Sequence, residues 1–282
     1  MRNANSRPAP EAQPPRRRRL LAKAVAVVGA AAVLGTTAMV GSAGAIVNGK
    51  DSTEPYPFMA TLPQKAAGVD AQCGATLIDR QWVLTAGHCV DPELPIVLEG
   101  KVRIGSPNRT TGGTVRGIDR IVTHPGYKLG GEDGGPNVND LALIRLDRPV
   151  SQKPIKIAKN AGPAGTPTRI LGFGTIVDGP LDDAVFPDRL QQLNTRVGTD
   201  AECFGRAGAT RLCTVSPKPG AMACFGDSGG PQLQRAKNGR WELIGATSGD
   251  GDWKPECSTG PGLYSNVPAY AEWIRKTIRE NS

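Results

Sequence analysis

Apolar positions in the first half of the chain come in short runs separated by polar and turn residues, at 58–62 (Phe-Met-Ala-Thr-Leu), 75–78 (Ala-Thr-Leu-Ile), 82–85 (Trp-Val-Leu-Thr) and 101–104 (Lys-Val-Arg-Ile). Each run has strand length, and none sustains the period of an amphipathic helix. A second set follows Pro154, at 168–174, 190–197, 232–234, 243–247 and 262–267. The frequent turn residues between runs predict an all-β fold of antiparallel strands closed as barrels. The pattern changes after Pro268, where Tyr270, Trp273, Ile274 and Ile278 recur at helical spacing. A C-terminal helix over about 268–280 follows, with those aromatics as core packing.

The N-terminal 45 residues carry a different pattern. Arg16 to Arg19 form a basic cluster, residues 20–40 are rich in Ala and Val, and Ala43-Gly44-Ala45 is a small-residue cleavage site. This is the anatomy of an export signal. A membrane anchor is the competing reading, but Lys23, Gly29, Gly35, Thr36 and Thr37 weaken a spanning helix beside the usual run of about 20 apolar residues. Arg17-Arg18-Arg19-Leu20-Leu21 also loosely matches a twin-arginine signal, so the export route stays open. The domain boundaries expected are a signal at 1–45, one barrel at about 56–153, a second at about 154–267, and the helix.

Charge changes the picture little once the signal is set aside. The whole chain has a formal charge of +8, but residues 1–45 hold seven basic side chains and one acid, leaving 27 basic against 25 acidic. A near-neutral mature chain gives no electrostatic case for nucleic acid or for stable membrane association. All six cysteines lie after residue 45. An even number in an exported chain points to disulfides, with 15 pairings open. Zinc on His88 and Cys89 is disfavoured because the close Cys-x-x-Cys spacing of closed zinc sites is missing.

Three stretches carry candidate chemistry: Leu84-Thr85-Ala86-Gly87-His88-Cys89, Asn137-Val138-Asn139-Asp140-Leu141-Ala142, and Met222-Ala223-Cys224-Phe225-Gly226-Asp227-Ser228-Gly229-Gly230-Pro231. A serine among glycines disfavours helix and strand and favours a tight loop that leaves one hydroxyl open. Histidine, acid and serine are the parts of an activated nucleophile. Taken singly, each piece is more often a turn, a satisfied histidine or a strand start. The glycines of residues 130–136 mark a mobile surface loop and not a phosphate site, since no Gly-Lys-Ser/Thr follows.

Together these stretches resemble the chymotrypsin-like (trypsin-like) serine endopeptidases, in particular their secreted bacterial members. The likeness runs from Ile46-Val47-Asn48-Gly49 to the terminal helix and so covers nearly all of residues 46–282. It implies two six-stranded barrels with His88, Asp140 and Ser228 in the cleft between them. It also implies an oxyanion hole at the N–H groups of Gly226 and Ser228, and Ser248 supporting Asp140. An ion pair between the ammonium of Ile46 and Asp227 follows as well, as do the disulfides Cys73 with Cys89, Cys203 with Cys213 and Cys224 with Cys257. Cleavage after Ala45 would free Ile46 directly, without a zymogen stage. His124, in His124-Pro125, is expected on the surface without a catalytic role.

Two departures bear on specificity, in a pocket expected from Met222, Ala223, Gly249, Asp250 and Gly262. Relatives that cut after Lys or Arg carry an aspartate where this chain has Met222, and an apolar thioether cannot balance a buried cation. An apolar P1 residue is therefore expected over a basic one, although Asp250 stands as a possible cation partner. Where relatives read Ser-Trp-Gly, this chain reads Ser248-Gly249-Asp250-Gly251-Asp252-Trp253, which removes an aromatic and adds two acids. Gly87 replaces the usual alanine. The expectation is a secreted, monomeric, metal-independent endopeptidase with no cofactor, acting on protein or peptide substrates, with a protein inhibitor as a second partner class. A protease-shaped binding protein without turnover and an esterase on the same scaffold are the rivals.

Overall fold

The computed structural model describes residues 46–130, 135–254 and 256–282. The export segment and residues 131–134 of the glycine-rich loop lie outside the described residues.

In chain order the first set of strands is β1 (Lys50–Asp51), β2 (Met59–Ala66), β3 (Val69–Asp79), β4 (Trp82–Thr85), β5 (Ile96–Leu98), β6 (Lys101–Ile104), β7 (Thr114–Thr123) and β8 (Ala142–Leu146). The second set is β9 (Lys156–Ile157), β10 (Pro167–Gly172), β11 (Gln191–Val197), β12 (Arg211–Val215), β13 (Pro231–Arg235), β14 (Trp241–Asp250) and β15 (Gly262–Asn266). A 3-10 turn at Val267–Tyr270 then leads into the helix α1 (Ala271–Glu280). Pro268 opens that turn, where its missing N–H costs nothing.

Each set closes into a six-stranded antiparallel barrel. In the first, the order β2-β3-β4-β8-β7-β6 returns to β2. In the second, β11-β10-β13-β14-β15-β12 returns to β11. The short strands are accessories: β5 pairs with β2, β1 with β11, and β9 lies parallel to β14. Leu62, Leu77, Leu84, Ile104 and Leu143 fill the first barrel with no exposed surface. Ile46 joins Ile170, Leu193, Ile244 and Tyr264 in a core of the second.

Local sequence accounts for most of these elements. β8 reads Ala-Leu-Ile-Arg-Leu and buries all but its arginine, so it appears in sequence as a nearly unbroken apolar run. β7 is as long as ten residues but has none fully buried, and its two arginines, aspartate and glycine hide it from any hydrophobic pattern. The strand exists because both its edges are paired, to β6 and to β8. Tertiary pairing outweighs propensity here. β12 was hidden likewise, by its brevity and by Arg211 and Thr214 among its five residues.

All three implied disulfides are present: Cys73–Cys89, Cys203–Cys213 and Cys224–Cys257. The first removes both thiols that a zinc site beside His88 would need. His124 packs edge-on against Tyr270 and Trp273 of the C-terminal segment, its ring 5.3 and 4.8 Å from theirs. Its Nδ1 accepts the Gly126 N–H at 3.1 Å, and burial holds its pKa below the ordinary value.

The barrels meet where Gly74 of β3 faces the serine loop. The Gly74 N–H donates to the Ser228 carbonyl at 2.7 Å. A Cβ at position 74 would lie 2.6 Å from the Gly230 Cα, a distance that backbone cannot yield cheaply. Gly74→Ala should therefore destabilise the fold by about 1–3 kcal/mol, the usual range for overpacking a tight contact. Denaturant unfolding would measure it, and a midpoint equal to wild type would contradict the close approach.

Candidate active site

The site begins with a buried acid. Asp140 has 1% of its side chain exposed and precedes β8 on a turn set by Asn139, whose φ is +46°. Asparagine tolerates that left-handed conformation better than most residues. Its side chain is fixed on both sides, the amide donating to the Gly126 carbonyl at 2.8 Å and the Oδ1 accepting from the Tyr270 hydroxyl at 3.0 Å. Ser265 Oγ donates to the Asp140 carbonyl at 2.9 Å.

His88 sits on the turn that follows β4, held by the Cys73–Cys89 disulfide next to it. Its backbone N–H donates to Asp140 Oδ1 at 2.9 Å, and its Nδ1 lies 2.8 Å from Oδ2. Ser248 Oγ donates to the same Oδ2 at 2.6 Å. The orientation of Ser248 comes from a break in register between Thr247 and Gly249 as β14 pairs with β15. A bulge of this kind re-aims one side chain of a strand.

Charge follows geometry. Burial alone would push the Asp140 carboxyl up, but the His88 charge and the hydrogen bonds from His88 and Ser248 outweigh it and hold it below the ordinary value. Burial alone would push His88 down, and Asp140, with a smaller contribution from Asp91, carries it above the ordinary imidazole value. The pair favours an imidazole with its proton on Nδ1, leaving Nε2 as the acceptor.

Ser228 lines the same cleft as His88, a cavity of about 500 Å³ walled by residues of both barrels. Its loop turns on Gly226, at a φ of +91°, and Gly229, at +75°. Several amides of the loop are engaged: Cys224 N–H donates to the Asp227 carboxylate, Asp227 to the Cys224 carbonyl, Gly229 to Thr247 and Gly230 to Asp227. Among the described residues, the N–H groups of Gly226 and Ser228 have no acceptor, which leaves donors on either side of Asp227 in the loop that presents the hydroxyl. Such donors stabilise charge developing on a carbonyl oxygen.

The pocket beyond Ser228 differs in part from expectation. Ala223, Gly249, Asp250 and Gly262 line the cavity. Met222 does not. It is 2% exposed and packs in the core of the second barrel, its sulfur 3.3 Å from where a Gly262 Cβ would stand. The displacement has a local cause, since Val47 forms a backbone bridge with Met222 and ties it to the buried N-terminal segment. Asp250 is exposed yet partly desolvated. That desolvation, with repulsion from Asp252, pushes its pKa up to about 6 despite the attraction of Arg206.

Sequence reasoning passed over two residues. Tyr127 places its ring against Gly87, so that a Cβ there would lie 2.8 Å from it, and its hydroxyl donates to Asp91 at 2.9 Å. Gly87 is thus the counterpart of a tyrosine 40 positions on, a pairing with no local signature. Asn137 belongs to the stretch already singled out, but an asparagine three residues before the acid has no spacing signal of its own. Its amide reaches both Asp140 Oδ2 and the Ser248 carbonyl, each at 3.1 Å.

Residues 46–274 match the family described as Trypsin. Human Kallikrein-14 is 34% identical over 219 residues, covering 74% of this chain and 74% of its own. A trypsin from Sarcophaga bullata is 32% identical over 251 residues, covering 84% of this chain and 90% of its own. Among solved structures, mouse neuropsin, a serine protease expressed in the limbic system of the brain, superposes with a TM-score of 0.67 at 26% identity. That match covers 83% of this chain and all of neuropsin. These relatives are animal proteins, so they lend no support to the narrower likeness to bacterial members.

Asp227 beside the serine carries a further consequence. In the continuous chain the Ile46 nitrogen is a peptide nitrogen, and the Asp227 carboxylate accepts the N–H groups of Gly174 at 2.8 Å and Cys224 at 3.0 Å. Burial pushes its pKa up to about 7 in spite of those amides. An unfolded carboxyl of this kind titrates near pH 4. The folded chain therefore binds the extra proton between about pH 4 and 7, and stability contributed by Asp227 is lost as pH rises through that window. Thermal unfolding of the continuous chain should show wild type losing ground to Asp227→Asn from pH 4 to 7. Parallel profiles for the two would contradict the buried, uncompensated carboxyl.

Proposed function

This chain belongs to the trypsin family of serine endopeptidases, and from that premise we propose a peptide-bond hydrolysis in which Ser228 is the nucleophile, His88 the general base and Asp140 its anchor. The observation that carries the reading is one carboxylate oxygen 2.8 Å from His88 Nδ1, with His88 and Ser228 facing a common cleft. The hydroxyl oxygen of Ser228 bonds to the scissile carbonyl carbon as its proton passes to His88 Nε2. The oxyanion rests on the N–H groups of Gly226 and Ser228. Collapse breaks the C–N bond, His88 returns the proton to the leaving amine, and an acyl-Ser228 ester remains. Water then attacks that ester through the same base, releasing the acid and restoring the serine hydroxyl.

Residues 1–45 are read as an export signal, so that the working protein is extracellular and begins at Ile46. The ammonium freed there supplies a counter-charge for Asp227, which in the continuous chain has only dipoles around it. Ile46 is already fully buried in the second barrel's core, within the segment this pairing requires. No helix among the described residues is long and apolar enough to cross a membrane. The family acts on protein or peptide substrates, and a monomer suffices for the site as drawn.

For P1 we favour apolar side chains. Ala223, Gly262 and Tyr264 line the pocket, with Met222 packed against Gly262. Asp250 lines it too but is exposed, and Asp252 and Asp178 lie close enough to raise its pKa. These acids suit basic residues at positions flanking the cut.

Two experiments test the proposal. A fluorophosphonate should label the wild-type protein and the His124→Ala variant, while Ser228→Ala and His88→Ala lose labelling and turnover. The labelled protein should begin Ile46-Val47-Asn48-Gly49. Labelling that survives Ser228→Ala, or an active protein with another N-terminus, would remove those assignments. A peptide library should give cuts after apolar residues, with a flanking basic preference that strengthens as pH rises through about 6 and is lost in Asp250→Asn, since only the ionised carboxylate attracts a cation. Preferential cleavage after Arg or Lys would overturn the apolar P1 assignment.

A further inference from the structure

Asn137 is built into the triad's hydrogen-bond network more completely than its place in a surface connection requires. Its carboxamide has two N–H donors and one oxygen, and all are used. The Nδ2 donates to Asp140 Oδ2 and to the Ser248 carbonyl, both at 3.1 Å, while Oδ1 accepts the Gly130 N–H at 2.8 Å. The acceptor role toward Gly130 fixes which end of the amide faces the acid, because a flipped amide would set its NH2 against a backbone N–H. The Nδ2 is also 3.5 Å from His88 Nδ1. Nδ1 donates to Asp140 in the same plane of contacts, so this approach is packing and not a further bond.

The Asp140 carboxylate then receives four donors: the His88 N–H, the His88 ring, Ser248 Oγ and Asn137 Nδ2. Three of them converge on Oδ2. Each donor stabilises the ionised carboxylate and draws off charge that would otherwise act on the imidazole. Asn137 also ties two parts of the molecule together, since Asp140 precedes a strand of the first barrel and Ser248 belongs to the second.

We propose that Asn137 is a positioning residue of the catalytic site: it fixes the Asp140 carboxylate against Ser248 and lowers the basicity of His88 by holding part of that carboxylate's charge. The proposal rests on the triad reading above. Among the described residues, the charged and titratable groups facing His88 are Asp140, Asp91 and the Tyr127 hydroxyl that donates to Asp91. None of them is replaced when Asn137 becomes alanine, so a shift in His88 in that variant reports on the amide.

The test uses three variants of the purified protein. Asn137→Ala removes both donors and the acceptor. Asn137→Asp keeps an oxygen for the Gly130 N–H and replaces the donors with a second negative charge, and circular dichroism checks that each variant is folded. Titration of His88 by imidazole NMR, with His124 as the internal reference, should show its pKa rising by about half a unit to one unit in the alanine variant, a fraction of one charge-assisted hydrogen bond because the lost donor acts on His88 only through Asp140. The aspartate variant should rise further. The acid limb of kcat/KM should move up by the same amount, and Asn137→Gln should restore part of the shift. A His88 pKa unchanged or lowered in the folded alanine variant would overturn the proposal, whatever the aspartate variant shows. A shift as expected in a protein without turnover would uphold it and sink the catalytic reading instead.

Discussion

Everything in this site depends on a single buried negative charge. The Asp140 side chain is almost wholly shut off from water, and an ionised carboxylate in that position is tolerated only with a full set of donors. Those donors are the backbone and ring of His88, the hydroxyl of Ser248 and the amide of Asn137. They come from separate stretches of chain and from both barrels, so satisfying one charge forces distant segments into one groove. The same contacts hold the imidazole's proton on Nδ1.

A second buried carboxylate, Asp227, is held differently. It has amide donors but no cation among the described residues, and glycines at 172 and 174 are required because a Cβ at either would run into it. Burial without a counter-charge leaves this acid poised to take a proton or a new partner. The two acids thus divide the work. One is held ionised by its donors, and the other is pushed toward its protonated form by burial.

How much of this was legible in the sequence follows from which signals are local. Strands with unbroken apolar runs, such as β4 and β8, could be read directly, and so could the helix after Pro268. β7 could not, because its residues are half-exposed and its place is set by neighbours on both sides. The three chemical stretches carried the likeness to a family, and their glycines signalled the serine loop. The partners of a site residue are a different matter. Tyr127 filling the space beside Gly87, Asn137 reaching Asp140 and Met222 retreating behind Gly262 are all contacts between segments, and no spacing rule encodes them.

The central claim is that Asp140 serves by accepting from His88 Nδ1 and so keeping Nε2 free to take the serine proton. Replacement of Asp140 by asparagine preserves shape and burial but lets the amide donate to Nδ1, which moves the ring proton to Nε2. The most direct measurement is kcat of Asp140→Asn at neutral pH, with folding verified by circular dichroism. A fall of about ten-thousand-fold in a folded protein is the result expected of a reversed tautomer. Turnover within tenfold of wild type would contradict the account.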